Sequence, residues 1–315
     1  MTKTIKNPAA SVRARLLALS KQRGEQFNFT LERYALERLL FRLSQTSHGK
    51  SFLLKGGMLL NFLSQNPYRA TRDLDLLGYG EPTPERLSQI FQEACSLHYP
   101  EEGLRFSEQV QTSPIKEGME YPGIRLKLEA WLDEARISLQ IDVGFGDAVL
   151  QPYAKVDFEP FLSFPLPDIL AYPLESVLAE KIHAMVERGA ETSRMKDIYD
   201  LWYLAANQTW SSLRLAEAVH LTFVGRRSTL PTELPEMFTP LFFESPQKLS
   251  QWQAFGKRLA RAVLKEMDLR QILTQLELFW WPLLQALEQG QRFDFIWDPE
   301  TWTWLPNPAS AEETA

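Results

Sequence analysis

The spacing of apolar residues divides the chain into a mixed first half and a helical second half. From residue 8 to about 47, leucines recur at intervals of three, four and seven, which predicts helices. The run "SFLLKGG" (51–57) predicts a short buried strand that ends in a Gly-Gly turn, and "MLLNFLSQ" (58–65) predicts the helix that follows. Further along, "RDLDLLGYG" (72–80) predicts a strand and "TPERLSQIFQEACSLH" (83–98) a helix.

Two alternating segments then predict a hairpin. "GIRLKLEAWL" (123–132) and "ARISLQIDVGFGD" (135–147) both alternate apolar with polar residues, and the short turn Asp133-Glu134 separates them. The chain is rich in proline from residue 160 to 173, which favours a domain boundary there. We predict an α+β domain at 1–165, in which helices flank a mixed β-sheet, followed by a mostly α-helical domain at 166–315.

The last part of the second domain is rich in tryptophan. "LFWWPLLQAL" (278–287) and "FIWDPETWTWL" (295–305) contain five of them. Such residues can form a surface on which bases stack, but they more often close an apolar core. We therefore expect a helical core here, with base stacking as the alternative.

Two carboxylates interrupt the apolar strand at 72–80. Residues two apart lie on the same face of a strand, so Asp73 and Asp75 point together while Leu74 and Leu76 point into the core. Two like charges this close repel each other unless a cation lies between them. Mg²⁺ is the expected cation, since one or two carboxylates plus substrate phosphates commonly hold it.

A phosphate site and a third acid are predicted beside this pair. Gly56 and Gly57 lie at a strand-to-helix junction, where free backbone N–H groups and the helix dipole favour an anion. In the hairpin, Asp142 lies on the face opposite the apolar residues, and a strand next to that of Asp73 would bring it to the same metal. Three carboxylates holding two ions suit a two-metal transfer of phosphoryl groups. The alternative is that Asp142 and Asp147 merely face water.

The helical half holds one lysine and two acids near apolar positions. Lys181 lies on or beside the apolar stripe of the helix at 174–188, where a lysine can also extend its ammonium to solvent. Asp197 and Asp200 are three residues apart on one helix face. Acids that border a buried face usually pair with a cation, and Lys181, Arg188 or Arg194 would supply it.

Composition indicates the cellular compartment and argues against a protein that coats nucleic acid non-specifically. The formal net charge is −6, so only a local basic site is possible. The candidates are Arg13, Arg15, Lys21 and Arg23, then Arg226 and Arg227, then Lys257, Arg258, Arg261 and Lys265. The single cysteine and scattered histidines give no disulfide and no zinc site, and no stretch predicts a signal peptide or a membrane span. We expect a cytoplasmic protein.

Five motifs, in this order, resemble the AbiEii/AbiGii nucleotidyltransferase-like toxins. They are "KGGMLLNFL", "YRATRDLDLL", "ISLQIDVGFGD", "LAEKIHAMVERG" and "RMKDIYDLWYL", and they extend from about Phe52 to Leu204. These toxins are relatives of the MenT toxins within the DNA polymerase β-type nucleotidyltransferase superfamily. The tryptophan-rich region adds nothing to the resemblance.

The resemblance implies roles for individual residues. Gly56 and Gly57 would form the nucleotide phosphate loop, and Asp73, Asp75 and Asp142 the metal site. Arg69 and Thr71 match the lead-in to the acids and would contact the nucleotide. Lys181 matches the family's helical lysine, and Asp197 with Asp200 its later acidic motif. Lys181 and Asp197 would be catalytic, and Lys181 and Asp200 would also contact the nucleotide. The helical domain would then complete the active-site cleft. Met58 departs from the pattern, which has serine or threonine there.

The implied activity is transfer of a nucleoside monophosphate from an NTP, with two Mg²⁺ ions, to an RNA hydroxyl. In MenT-like relatives the acceptor is the 3′ end of tRNA and translation is inhibited. An AbiEi-like antitoxin partner and a role in phage defence are also implied. Two alternatives stay open: a nucleotidyltransferase that modifies a protein or a small molecule, and a regulator that binds NTP without transferring it.

Overall fold

Two compact units make up the chain. The computed structural model describes residues 7–63, 71–115, 123–156, 160–257, 259 and 268–309. The first unit comprises Met1–Asp147 and Tyr153–Tyr172, and the second comprises Ala148–Pro152 and Pro173–Ala315. The change of unit between Tyr172 and Pro173 lies in the stretch where prolines are frequent.

The first unit alternates helices with strands. Its helices are α1 (Pro8–Arg23), α2 (Phe27–Gln45), α3 (Gly56–Leu63) and α4 (Pro84–Ser96). Its strands are β1 (Phe52–Lys55), β2 (Asp73–Gly78), β3 (Leu104–Phe106), β4 (Gln111–Pro114), β5 (Ile124–Leu132), β6 (Ala135–Phe145), β7 (Ala154–Lys155) and β8 (Leu170–Ala171). The predicted elements are therefore present, and the long helical segment at 8–47 is two helices because Gly24 ends α1 in the left-handed conformation.

The strands of the first unit form one mixed sheet. Within the described residues its order is β3-β5-β6-β2-β1-β8-β7, and β4 also pairs with β5. Strand β2 runs parallel to β6, and β1 runs parallel to β8, while β1 pairs with β2 and β5 with β6 in antiparallel fashion. The predicted mixed sheet flanked by helices is confirmed. Strand β2 lies at its centre, so its acids have a neighbouring strand on each side.

The two faces of this sheet differ in chemistry. Leu74 and Leu76 of β2, with Ile141 and Val143 of β6, are buried on one face. On these strands the polar residues occupy the alternate positions and are only partly buried. Helix α2 packs against β6, α1 and α4. Burial of the apolar face therefore determines which side chains remain on the polar face.

A buried ion network holds α2 to the 3₁₀ turn Pro100–Glu102. Arg38 donates to Glu37 at 2.9 Å and to Glu102 at 3.1 Å, and Arg42 also pairs with Glu102. All four side chains are at most 1% exposed. The two positive and two negative charges balance, which is the condition under which charged groups are tolerated inside a protein.

The second unit is mostly helical and ends in a hairpin. Its helices are α5 (Leu174–Arg188), α6 (Met195–Asn207), α7 (Ser212–Gly225), α8 (Pro240–Phe243), α9 (Pro246–Gly256) and α10 (Leu269–Glu288). Its strands are β9 (Trp210–Ser211), β10 (Phe295–Asp298) and β11 (Thr303–Pro306), which form a small antiparallel sheet. This sheet is an addition to the expected helical core, and Trp297 and Trp304 are cross-strand partners in it.

Aromatic rings fill the core of the second unit. Trp280 and Trp297 are fully buried, and Phe279 lies between them, with ring centroids 5.1 and 4.7 Å away. Trp304 stacks on Phe279 at 5.5 Å with an interplanar angle of 5°. These rings contact each other and bury their faces, so the core interpretation of the tryptophans is confirmed and the base-stacking surface is not supported.

Among the helices of the described ranges, none combines the length and the apolar character that a membrane span requires.

Candidate active site

The acids of β2 lie on the polar face of the central strand. Asp73 and Asp75 are partly buried and alternate with fully buried Leu74 and Leu76. The prediction that the two carboxylates point to the same side is therefore confirmed. Their position in the middle of the sheet, and not at its edge, surrounds them with side chains from three other strands.

Gly56 and Asp75 are in direct contact. Lys55 of β1 pairs with Asp75 of β2, so the chain enters α3 beside this carboxylate. Gly56 has a φ angle of +70°, and a Cβ placed on it would lie 2.0 Å from Asp75 Oδ2. The left-handed angle and the close approach both require glycine. The N-terminus of α3, a favourable place for an anion, therefore lies next to the acid pair.

Four charged residues line up across four strands in what we call the charge row. Lys55, Asp75, Asp142 and Arg125 are successive cross-strand partners on β1, β2, β6 and β5. Cross-strand partners share a face and have their Cβ atoms about 5 Å apart. The order of charges is plus, minus, minus, plus. The two acids in the middle would repel each other without their outer partners.

Asp142 is held by Arg125. Arg125 Nε and Nη2 each donate to one oxygen of Asp142 at 2.8 Å, which is a bidentate ion pair. Gln140 Nε2 lies 3.5 Å from Asp142 Oδ2. The predicted face of Asp142 is confirmed, and the alternative that it merely faces water is wrong. Its carboxylate is nevertheless occupied by a guanidinium.

At the other end of the row, Lys55 contacts Asp147 and Tyr172. Lys55 Nζ lies 2.6 Å from Asp147 Oδ2, and Tyr172 donates its hydroxyl to the same oxygen at 3.1 Å. The Lys55 ammonium also lies 5.2 Å from the centre of the Tyr172 ring. Asp147 is 9% exposed, so it does not simply face water either. These contacts hold the side chain of the residue that directly precedes the predicted phosphate loop.

Helix α2 adds a further acid near Asp73. The charge of Asp73 acts on Glu32, whose pKa is raised above its ordinary value, mainly by burial and secondly by Asp73, against the opposing charge of Arg72. Arg72 Nε lies 3.5 Å from Glu32 Oε2 and its guanidinium lies over the Phe29 ring. Glu32 is therefore a third carboxylate within electrostatic reach of Asp73, and Arg72 offsets its charge.

Gly57, Met58, Arg69 and Thr71 are the other positions predicted to lie at or beside the nucleotide. Thr71 is 9% exposed and comes two residues before Asp73. Gly57 is buried in α3, where its carbonyl accepts from Asn61 Nδ2 at 3.1 Å. Met58 is fully buried, so the side chain at this position belongs to the core. Arg69 lies outside the described residues.

The three predicted metal ligands do not form one group. Within the described ranges, no three side chains of Asp, Glu, His or Cys lie close enough together to hold a metal ion. Asp73 and Asp75 remain a pair on one face, whereas Asp142 has both oxygens engaged by Arg125. The acid pair fits one Mg²⁺ ion that completes its shell with phosphate oxygens. Asp142 already has its charge neutralised, and a guanidinium N–H takes one lone pair of each of its oxygens.

In the second unit, Lys181 joins two buried carboxylates. Its Nζ donates to Asp197 Oδ1 and to Asp200 Oδ2, each at 2.7 Å. Arg194 Nη1 lies 3.5 Å from the other oxygen of Asp197. Asp200 is fully buried, Asp197 is 6% exposed and Lys181 11%. The predicted pairing of these acids with Lys181 and Arg194 is confirmed.

The Lys181 contact keeps Asp197 ionised. Burial alone would raise the pKa of Asp197, and the charge of Asp200 acts in the same direction. The charge and hydrogen bond of Lys181 outweigh both, so the pKa of Asp197 lies below its ordinary value. Lys181 is thus anchored from two sides, and its ammonium has a fixed position within the second unit.

The predicted basic clusters mostly make contacts within the protein. Arg13, Arg15 and Arg23 of α1 have their guanidinium groups 5.3 to 5.6 Å from the centres of phenylalanine rings. Arg226 contacts Glu180 at 3.4 Å and His183 Nδ1 at 3.2 Å. Arg258, Arg261 and Lys265 lie outside the described residues. A cation that stacks on a ring keeps its charge, so α1 remains a basic surface.

Several site residues were missed by sequence reasoning. Lys55, Arg125 and Glu32 enter the site only through strand register or helix packing. Lys55 had a usable signal, because it is a charged residue at the end of a buried strand and directly before two glycines. Arg125 had one too, because the two-residue turn Asp133-Glu134 places position 125 opposite Asp142 in the predicted hairpin.

Comparison with known proteins gives one family. The model described as "Nucleotidyl transferase AbiEii toxin, Type IV TA system" matches residues 38–288. Among proteins with curated descriptions, none matches this sequence.

Two solved structures from Helicobacter pylori are similar to this chain at low identity. JHP933 is 15% identical, with a TM-score of 0.44 over 80% of this chain and 88% of that one. A protein described as a "putative nucleotidyltransferase" is 16% identical, with a TM-score of 0.46 over 81% and 94%. Both TM-scores are below 0.5, so neither similarity indicates a function.

Proposed function

Since this chain belongs to the AbiEii nucleotidyl transferase toxin family of type IV toxin–antitoxin systems, we propose that it transfers a nucleoside monophosphate from an NTP to RNA. The acceptor we propose is the 3′ end of a tRNA, and the consequence is inhibited translation. Transfer breaks the bond between the α- and β-phosphates, joins the α-phosphate to the acceptor oxygen and releases pyrophosphate.

The observation that carries the proposal is the contact between Gly56 and Asp75. It brings the start of α3, where backbone N–H groups favour phosphate, against a carboxylate pair that favours a divalent cation. An NTP bound as its magnesium complex needs both features side by side. A plain Gly-Gly turn would not need a glycine in the left-handed conformation at Gly56. An isolated acid pair would not need the contact with this glycine.

Asp73 and Asp75 are the residues that would hold Mg²⁺. A magnesium ion supplies charge neutralisation on the phosphates and a lower pKa for the attacking hydroxyl. Gly56 and Gly57 would contact the phosphates through their backbone, and Thr71 and Arg69 would contact the nucleotide, as the resemblance implies. Lys55 precedes this loop with a positive charge that Asp147 and Tyr172 hold in position.

In the second unit we assign Lys181, Asp197 and Asp200 to nucleotide binding. Their support is the family motif together with the ion cluster that fixes the Lys181 ammonium between two carboxylates. A cation fixed in this way needs little reorganisation when an anion binds. The two acids position Lys181, and the lysine would be the residue that touches the triphosphate.

RNA as the acceptor rests on the resemblance to MenT-like toxins, and the arginines of α1 are compatible with it. A net charge of −6 weakens binding to nucleic acid in general, so affinity for tRNA would depend on a local basic surface and fall as salt increases. The family's system implies an antitoxin, for which we propose an AbiEi-like protein. NTP and tRNA are both cytoplasmic, which gives the proposed compartment.

Incubation with each of the four α-³²P-labelled NTPs, Mg²⁺ and total tRNA tests the proposal. We expect label in tRNA with one preferred NTP, and its loss by at least about 10³-fold in Asp75→Asn, because a metal ligand supports several kcal/mol of transition-state stabilisation. Asp133→Asn is the matched control, since Asp133 is exposed in the β5–β6 turn and asparagine tolerates its φ angle of +54°.

Other results would change the function assigned to the site. Label in protein or in a small molecule instead of tRNA would support a nucleotidyltransferase with another acceptor. NTP binding without transfer to any acceptor would support a regulator. In cells, expression should arrest growth, and Asp73→Asn should relieve the arrest; continued arrest with that variant would contradict the catalytic role of the pair.

A further inference from the structure

In the charge row, the Arg125 guanidinium binds the carboxylate of Asp142, which is the carboxylate that the second ion of a two-metal site would bind. Asp75 and Asp142 are adjacent partners on the parallel strands β2 and β6, so their side chains share one face about 5 Å apart. This is the spacing at which a second divalent ion would bridge a third carboxylate to the acid pair. The Arg125 guanidinium instead takes both oxygens of Asp142, at 2.8 Å each.

The geometry makes this pair hard to displace. Arg125 and Asp142 are direct cross-strand partners in the long β5–β6 hairpin, so the guanidinium is tethered beside the carboxylate. The bond is bidentate and charge-assisted, and the Asp142 side chain is only 17% exposed. An arginine stays protonated at any physiological pH. To bind Asp142, a magnesium ion would have to lose tightly bound water for a carboxylate whose charge the guanidinium already neutralises.

We infer that this chain binds one divalent ion, through Asp73 and Asp75, and that Arg125 takes the role of the second cation by neutralising Asp142. The inference rests on the proposed function, since it concerns the same metal site. It replaces the expected two-ion site with one ion plus a fixed guanidinium. The consequence is that Asp142 acts as the positioning residue for Arg125 and not as a metal ligand.

Counting bound Mn²⁺ ions by electron paramagnetic resonance tests this without measuring activity. The purified full-length chain is titrated with Mn²⁺, and the loss of the free-ion signal gives the number of ions bound. We expect one ion in the wild-type chain, none in Asp75→Asn, and still one in Asp142→Asn. In Arg125→Gln the freed Asp142 should bind a second ion, and adding Asp142→Asn to that variant should return the count to one.

A control variant lies on the same hairpin. Arg136 pairs with Glu129 on the same face of β5 and β6, six residues along β6 from Asp142 and so roughly 20 Å away. Arg136→Gln should leave the count at one. Far-ultraviolet circular dichroism of each variant confirms that it is folded, and Asp142→Asn in the wild-type background remains informative if Arg125→Gln does not fold.

The outcomes separate this inference from the proposed function. Two ions in the wild-type chain, with one lost in Asp142→Asn, would overturn the role of Arg125 and leave the nucleotidyltransferase proposal intact. A count that stays at one in Arg125→Gln would also overturn it. If the wild-type chain binds no Mn²⁺, or if Asp75→Asn does not reduce the binding, the metal site itself is overturned, and the proposed chemistry with it.

Discussion

The contact between Gly56 and Asp75 gives the sharpest test of the site, through the substitution Gly56→Ala. Its Cβ would lie 2.0 Å from Asp75 Oδ2, 2.6 Å from Cγ and 2.7 Å from Cβ. Rotation of the aspartate side chain can move Oδ2 and Cγ away, but Cβ moves only with the backbone. The strand or the start of α3 must therefore shift.

Two costs follow from this shift. Alanine at a φ angle of +70° costs about 1–2 kcal/mol of stability by itself. Relief of the clash displaces the Asp75 carboxylate or the phosphate loop by about 1 Å, and a misplacement of that size commonly reduces the rate about 100-fold. We therefore expect modest destabilisation together with a large loss of transfer activity and of Mn²⁺ affinity.

Gly144→Ala is the matched control for this prediction. Gly144 is on β6, on the same face as Asp142, and a Cβ there would lie 3.7 Å from Lys55 Nζ and 3.9 Å from Asp147 Oδ2, which are ordinary contacts. Urea unfolding, label transfer to tRNA and Mn²⁺ titration are measured for both variants. If Gly56→Ala keeps activity and Mn²⁺ affinity within threefold of the control, the proposed contact between the loop and the metal ligand is wrong.

Three further predictions concern charges held inside each unit. Lys181→Met removes the cation that two buried carboxylates share and should cost about 3–5 kcal/mol in urea unfolding; adding Asp200→Asn should recover part of it, and a loss below about 1 kcal/mol would contradict the cluster. Burial, and secondly Arg226, lower the pKa of His183 to about 4, so the unfolded chain binds its proton first and stability falls as pH drops from about 6.5 towards 4. After allowance for solvent screening, we expect about 1–2 kcal/mol less stability at pH 5 than at pH 7.5, and His183→Gln should flatten this dependence; an equal slope in both proteins would refute it. Asp147→Asn weakens the ion pair of Lys55 and should cost about 1–3 kcal/mol, whereas unchanged unfolding would show that Lys55 does not depend on it.

The local pattern of the sequence was sufficient for the elements and for the face on which each acid lies. Alternation on a strand has a period of two, so Asp73 and Asp75 had to share the face opposite Leu74 and Leu76 once that strand existed. The same reasoning placed Asp142 opposite the buried residues of the hairpin. Burial also predicted that Asp197 and Asp200 pair with a cation. The structure selected Lys181 and, for Asp197, Arg194 from the three candidates.

Tertiary structure decided which of these residues are neighbours and what they hold. The pairing of β1 and β6 with β2 is a long-range property, and only it brings Lys55 and Asp142 to either side of Asp75. Periodicity reports the face of a residue but not its cross-strand partner. The sequence alone therefore determined the candidate acids, whereas the fold determined that Asp142 lies beside Asp75 and that Gly56 lies against it.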